Sequence, residues 1–248
     1  MCFYRTNAIY QALADKKIKD FYWVSENAWI LVYGDSNNNP KVIVLAFNEK
    51  WAVDSKIVSL ASTIAKKADL PMFQVRFNSS QPEIDSVELA SFDGALNTVS
   101  LQQLKDAFAK TGLPVSDKPT KKAINSAESS AYHSWQREQL GKKIVVADID
   151  LIKESDKTTI IELKRSSFEL DRWSPFRVDF PNFYVLENLC KMTGDGFFIL
   201  YNRRVEEPEF FDDPSTVSVF TFNSGNPKKV GIFSFDKLFN NNEAVTDK

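Results

Sequence analysis

Four ionisable residues stand in residues 144–165 where a plain buried strand would carry none. That stretch, IVVADIDLIKESDKTTIIELKR, is two apolar runs joined by Glu154-Ser155-Asp156-Lys157. Both runs are strand-like, the second being rich in β-branched residues, and two such runs joined by a few polar residues read as a β-hairpin. Asp148 and Asp150 are two apart, as are Glu162 and Lys164, so a strand turns each pair to one face. If Glu154 pairs with Thr158, Asp150 lies opposite Glu162. If Glu154 pairs with Asp156, Asp148 lies there instead. In either register an Asp and a Glu converge with a Lys beside them. Two carboxylates held together repel unless they share a proton or a cation. Hard oxygen ligands with room for water suit Mg²⁺, and the Lys can then hold or help deprotonate a water next to the metal.

The string Asp150-Leu151-Ile152 followed by Ile160-Ile161-Glu162-Leu163-Lys164 resembles the PD-(D/E)xK nuclease superfamily, the restriction-endonuclease-like proteins, over roughly the second half of the chain. The proline that precedes the Asp in that family is absent, since residue 149 is Ile and residue 147 is Ala. The resemblance implies a Mg²⁺-dependent deoxyribonuclease, with Mn²⁺ as a substitute metal. Asp150 and Glu162 would bind the metal, with Asp148 as the second candidate for the Asp position, and Lys164 would assist the attacking water. It also implies DNA as partner, allows a homodimer, and makes restriction or phage defence a fitting setting. In the family a helix before the Asp strand often supplies a further Glu. Glu128 is the candidate, ahead of Glu138, and Gln136 and Arg137 on the same helix could face substrate. The alternatives are a non-catalytic DNA-binding or scaffolding protein with a relic nuclease fold, and an RNA-processing nuclease.

Composition limits the setting. The 248 residues have 43% hydrophobic and 26% charged content and a net charge of −2, ordinary for a globular protein. Residues 121–204 hold 14 Lys plus Arg against 12 Asp plus Glu, a modest basic excess that would not by itself point to nucleic acid. Cys2 and Cys190 are far apart, which argues against a disulfide scaffold and for a reducing cytoplasm. His133 as the only His argues against a zinc site built from these ligands, and His133 itself reads as structural. No apolar run is long enough for a transmembrane helix, and no membrane partner is expected.

The elements that must position these residues follow from periodicity. Helices are expected over residues 4–19, 54–68 with Asp54 as cap, 101–110, 123–140 ended by Gly141, and 182–193 ended by Gly194. Strands are expected over 29–33, 42–47, 72–77, 87–92, 196–201, 217–222 and 230–235, besides the hairpin. After Lys164 come Arg165, Arg172 and Arg177 among Phe168, Trp173, Phe176, Phe180 and Phe183. Such a mix suits a surface that grips phosphates and stacks on bases. It equally suits a loop pinned by its aromatics, with the arginines paired to Glu169, Asp171 and Asp179.

The expected architecture is α/β in two parts. A smaller N-terminal α/β module over residues 1–117, for substrate recognition or partner binding, precedes a linker at 114–122, PVSDKPTKK. A nuclease domain over 121–240 would be a mixed sheet flanked by helices. Strand-strand-helix-strand order occurs at 29–77 and again at 144–201. The first copy has Phe47-Asn48-Glu49 near the position of E-x-K and no matching Asp, so it is either a degenerate duplicate or an unrelated α/β module.

Overall fold

The computed structural model of the protein describes residues 7–24, 27–80, 82–91, 94–116, 118, 130–207 and 209–240. In chain order the elements are α1 (Ala8–Asp15), β1 (Phe21–Tyr22), β2 (Ala28–Gly34), β3 (Pro40–Asn48), α2 (Ser55–Lys67), β4 (Met72–Phe77), β5 (Ser86–Ser91), β6 (Asn97–Ser100) and α3 (Leu101–Lys110). Then follow α4 (Ala131–Gln139), β7 (Val145–Asp148), β8 (Leu151–Lys153), β9 (Thr159–Ser166), α5 (Phe180–Thr193), β10 (Gly196–Val205), β11 (Phe211–Asn223), β12 (Asn226–Ser234) and α6 (Phe235–Phe239). The chain is mixed α/β, as its periodicity implied. No helix among the described residues is long and apolar enough to cross a membrane.

Local sequence explains the helix ends. Asp54 accepts from the backbone N–H of Lys56 and Ile57 at the start of α2, a cap worth about 1 kcal/mol. Ser100 and Gln103 close a reciprocal capping box on α3. Gly194 stops α5 in the left-handed conformation at φ 72°, which a residue without Cβ adopts at little cost.

The chain divides into two compact units, Val24–Asp148 falling in the first and Arg5–Trp23 with Ile149–Lys248 in the second. The first holds a six-stranded sheet in the order β6-β5-β4-β3-β2-β7. Its strands β3 and β4 run parallel across the α2 connection, and the other neighbours are antiparallel. One face buries Trp29, Leu31, Tyr33, Val42, Val44, Ala46, Val75 and Phe77 against Leu104 and Phe108 of α3 and Tyr132 and Trp135 of α4. By strand alternation Ile43, Leu45 and Phe47 point to the other face, and α2 supplies Ile57, Leu60, Ala61 and Ile64 as its buried stripe.

The second unit repeats this plan in the order β1-β8-β9-β10-β11-β12. Here β9 and β10 run parallel across α5, and again every other pair is antiparallel. One face packs Leu151, Ile161, Leu163, Phe198, Leu200, Val217 and Val219 against Ile9, Tyr10 and Leu13 of α1 and Phe235, Leu238 and Phe239 of α6. The opposite face of the sheet belongs to α5. Each half of the chain thus reads α-β-β-β-α-β-β-β-α. The opening helix and strand of each half are exchanged: α1 and β1 join the second unit, α4 and β7 the first.

This exchange corrects the boundary expected at 114–122 and the ranges 1–117 and 121–240. Residues 117 and 119–122 lie outside the described residues. Ser116 donates its N–H to the Leu140 carbonyl and Lys142 to that of Lys118, which ties the described part of the segment to the end of α4. The division falls after Asp148 because α4 buries its aromatics in the first core while α1 buries its apolar stripe in the second. The expected hairpin is also corrected in part. Its first run breaks after Asp148, with β7 pairing β2 and only β8 pairing β9.

Candidate functional site

Strand β8 meets β9 in the register Leu151↔Ile161, Ile152↔Ile160 and Lys153↔Thr159. The next step of this ladder sets Asp150 opposite Glu162, the first of the two registers that the sequence leaves open. Asp150 lies just beyond the end of β8, and its carboxylate accepts from the Leu163 backbone N–H at 2.8 Å. The side chain therefore takes the place of the carbonyl that a longer β8 would offer. The backbone carbonyl of Asp150 accepts from the Tyr10 hydroxyl at 3.1 Å.

Glu162 is 3% exposed. Its Oε1 receives Lys164 Nζ at 2.7 Å, and its buried Oε2 has no hydrogen-bond partner among the described residues. Lys164 keeps 26% of its side chain exposed and places Nζ 5.5 Å from the centroid of the Phe183 ring on α5. Burial pushes the Glu162 carboxyl up to about 7; Lys164 pulls it down, while Asp150 and Asp179 push it further up. Burial also works against the Lys164 ammonium, but Glu162, Asp179 and Asp150 outweigh it and raise its pKa. The site is thus a cation bound to a carboxyl that titrates near neutrality, with two more carboxylates acting on both.

Asp179 is the residue that sequence reasoning missed as a member of this group. It precedes α5 at the cap position yet makes no side-chain cap bond. Its polar spacing from an aromatic loop gave no signal, because only the packing of α5 on β9 brings it towards Glu162 and Lys164.

The other candidates are placed elsewhere. Asp148 ends β7 in the first unit, opposite Leu31. Gln136 is 7% exposed and accepts from the Tyr33 hydroxyl in the first core. Arg137 is half-buried on the same helix, and burial lowers its pKa. Glu138 is exposed on α4, and Glu128 lies outside the described residues. His133 takes Ser130 Oγ on its Nδ1 at 2.8 Å and packs edge-on against Trp29. Burial, with Arg137 adding, pushes it down to about 4, so it is neutral and structural. Arg165 alternates to the face opposite Lys164 and pairs with Asp212 at 3.1 Å, with 14% of its side chain exposed. Arg172 and Arg177 are exposed.

A divalent cation would find two protein carboxylates here, Asp150 and Glu162. Among the described residues no three of His, Cys, Asp and Glu gather into a metal-holding group. Mg²⁺ is commonly held by one or two carboxylates with substrate phosphates and water completing the shell. The unpartnered, buried Glu162 Oε2 is an acceptor that such an ion would satisfy.

No protein-family model matches the chain, and no curated protein matches it. Among solved structures, the sex pheromone precursor from Lactobacillus salivarius subsp. salivarius UCC118 is similar over 78% of this chain and 61% of that one, at 9% identity and a TM-score of 0.17. A score that low carries no argument about fold or function.

Proposed function

We propose that the second unit is a restriction-endonuclease-like, Mg²⁺-dependent deoxyribonuclease, with Asp150, Glu162 and Lys164 as its working groups. The observation that carries this reading is the buried Glu162 oxygen left without a partner between Asp150 and Lys164. A fold kept for stability alone would bury an apolar residue there, because a buried carboxylate without full hydrogen bonding costs several kcal/mol, of order. The course of the chain also supports it: the β8–β9 hairpin is followed by α5 and by β10 parallel to β9.

Asp150 and Glu162 would hold the metal, which when bound polarises the phosphate and steadies the leaving oxygen. Lys164, partly exposed, would orient a water and donate to a phosphate oxygen. Asp179 raises the proton affinity of both neighbours and so tunes the Glu162–Lys164 pair. Arg172 and Arg177 would hold the DNA backbone. A second reading has one observation in its favour: Lys164 is bonded directly to Glu162, as in a relic site serving a DNA-binding protein without catalysis.

The test is incubation of the purified protein with plasmid, linear DNA, single strands and RNA, in Mg²⁺, Mn²⁺, Ca²⁺ or EDTA. Cleavage of DNA with Mg²⁺ or Mn²⁺ and none with EDTA is expected. Glu162→Gln should lower the rate by at least about a hundredfold, roughly 2.7 kcal/mol, in a protein that keeps its fold. A fully active Glu162→Gln protein, or wild-type protein inert on every substrate, overturns the reading.

A further inference from the structure

The loop that joins β9 to α5 has an anchored inner side and an aromatic outer side. Trp173 is 4% exposed. Its ring stacks on Tyr201 at 4.1 Å and 3° and meets the edge of Phe220. The Tyr201 hydroxyl lies 2.7 Å from the Phe168 carbonyl and 2.9 Å from that of Ser166. Ser218 Oγ and Lys229 Nζ each donate to the Leu170 carbonyl at 2.7 Å. Tyr201 is also the register partner of Lys164 across β9 and β10, so the anchor of the loop stands beside the candidate site.

The outer side is apolar and held in water. Phe168 is 52% exposed, Phe176 44% and Val178 70%. The two Phe rings stand 6.1 Å apart at 63°, an edge-to-face pair that leaves ring face open. Burying one such side chain fully is worth about 1.5–3 kcal/mol, and a loop pinned at its carbonyls cannot fold both rings inward. Arg172 lies between the two Phe in sequence and Arg177 directly follows Phe176. Both are exposed, and neither forms an ion pair with another described residue. Glu169 is taken up by Arg203 at 3.0 Å, which leaves Asp171, next to Arg172, and Asp179, two residues after Arg177, as the other acids of the loop.

We infer that Phe168 and Phe176 form a stacking platform for unpaired bases, and that the substrate class is DNA with a single-stranded segment crossing the Glu162–Lys164 site. In a duplex every base face is covered by its neighbours, and a Phe ring has no hydrogen-bonding group for a base edge, so open stacking surface favours unpaired bases. On a single strand each base offers a π-face, and stacking is tolerant of sequence. The two exposed guanidinium groups of the same loop, without an ion-pair partner among the described residues, match the phosphates of that strand. The inference rests on the nuclease reading for the identity of the site, but the binding that it requires needs neither metal nor cleavage.

The experiment is fluorescence anisotropy in EDTA, with a labelled DNA strand, the same sequence as a blunt duplex, and an RNA strand. The DNA strand should bind at least about tenfold more tightly than the duplex. Phe168→Ala with Phe176→Ala should weaken single-strand binding by about 10–100-fold, as expected for one or two lost stacks. That pair should leave duplex affinity, the salt slope and the melting temperature as they were, and Phe176→Trp on the Phe168→Ala background should recover binding. Equal affinity for strand and duplex, an unaltered double variant, preference for the RNA strand, or binding to no oligonucleotide overturns the inference. Single-strand preference in a protein that cuts nothing would sink the nuclease reading alone. Cleavage with no preference for unpaired DNA would sink this one alone.

Discussion

The two units have one sheet plan and differ in the row of side chains that the central strand turns towards the crossover helix. Under α2 the first unit lines β3 with Ile43, Leu45 and Phe47, each at most 3% exposed. Under α5 the second unit lines β9 with Ile160, Glu162 and Lys164. On the other face of the first unit the Tyr33 hydroxyl meets the Tyr132 hydroxyl at 3.0 Å and donates to Gln136. Burial raises the pKa of both tyrosines, so they stay neutral. Neutral groups bonded to one another fix a core at small cost. A cation bound to a carboxylate with one idle oxygen does not improve on an apolar row of similar volume. The same strand-helix-strand unit tolerates either row, so the charged row of the second unit calls for a reason other than folding, and the proposed chemistry would supply one.

The comparison breaks most readily if the apolar row of the first unit accepts a charge. Leu45→Glu should destabilise that unit by about 3 kcal/mol or more, because its register partners Ile30 and Gln74 bring no cation to the new carboxylate. Thermal or denaturant unfolding of the variant measures this, and a loss under about 1 kcal/mol would show that buried charge at this row is cheap and carries no functional message.

The reverse exchange sharpens it. Glu162→Leu with Lys164→Met gives the second unit the row of the first. Removing both partners together leaves no unpaired charge, so the variant should match the parent or exceed its stability by about 1–3 kcal/mol while losing all cleavage. A clear loss of stability would mean that the ion pair is structural.

The smallest effect is a pH dependence of opposite sign in the two units, in the absence of metal. Glu162 has its pKa raised from 4.5 to about 7. Its native state binds the extra proton, so its contribution is present below pH 4.5 and is lost as pH rises to about 7. His133 has its pKa lowered from 6.5 to about 4. Its contribution is present above pH 6.5 and is lost as pH falls to about 4. Between pH 7 and pH 5 the second unit should gain, and the first lose, on the order of 1 kcal/mol. Hydrogen exchange read separately on β3 and β9 and corrected for intrinsic rates checks this. Glu162→Gln and His133→Gln should each abolish the slope of their own unit only.

Helices α2, α3 and α5 and strands β2, β3, β4 and β10 were legible from caps and periodicity, since each is set by residues within a few positions of its ends. The facing of Glu162 and Lys164 was legible for the same reason: strand alternation is local. The choice between Asp148 and Asp150 was not. Both registers satisfy the alternation of β9, and only the pairing of β7 with β2 removes Asp148 from the hairpin. Arg165 shows a local rule left unapplied, because a residue next to Lys164 in a strand must face the other way, and there it meets Asp212.

By itself the sequence determined most of the elements, though not β1, β6 or the break between β7 and β8, together with the charged pair on β9 and the crowding of Asp150 against Glu162 in one of two registers, because hydrogen-bond periods of two and 3.6 residues are fixed by the backbone. Tertiary structure alone decided that α1 with β1 and α4 with β7 change places between the two sheets. An open sheet edge and an unpartnered apolar helix stripe accept any complementary strand and helix, and nothing within α1 or α4 says which of two like sheets will bury it. The same level of structure decided the role of Asp179, whose charge reaches Glu162 only through the seat of α5 on β9.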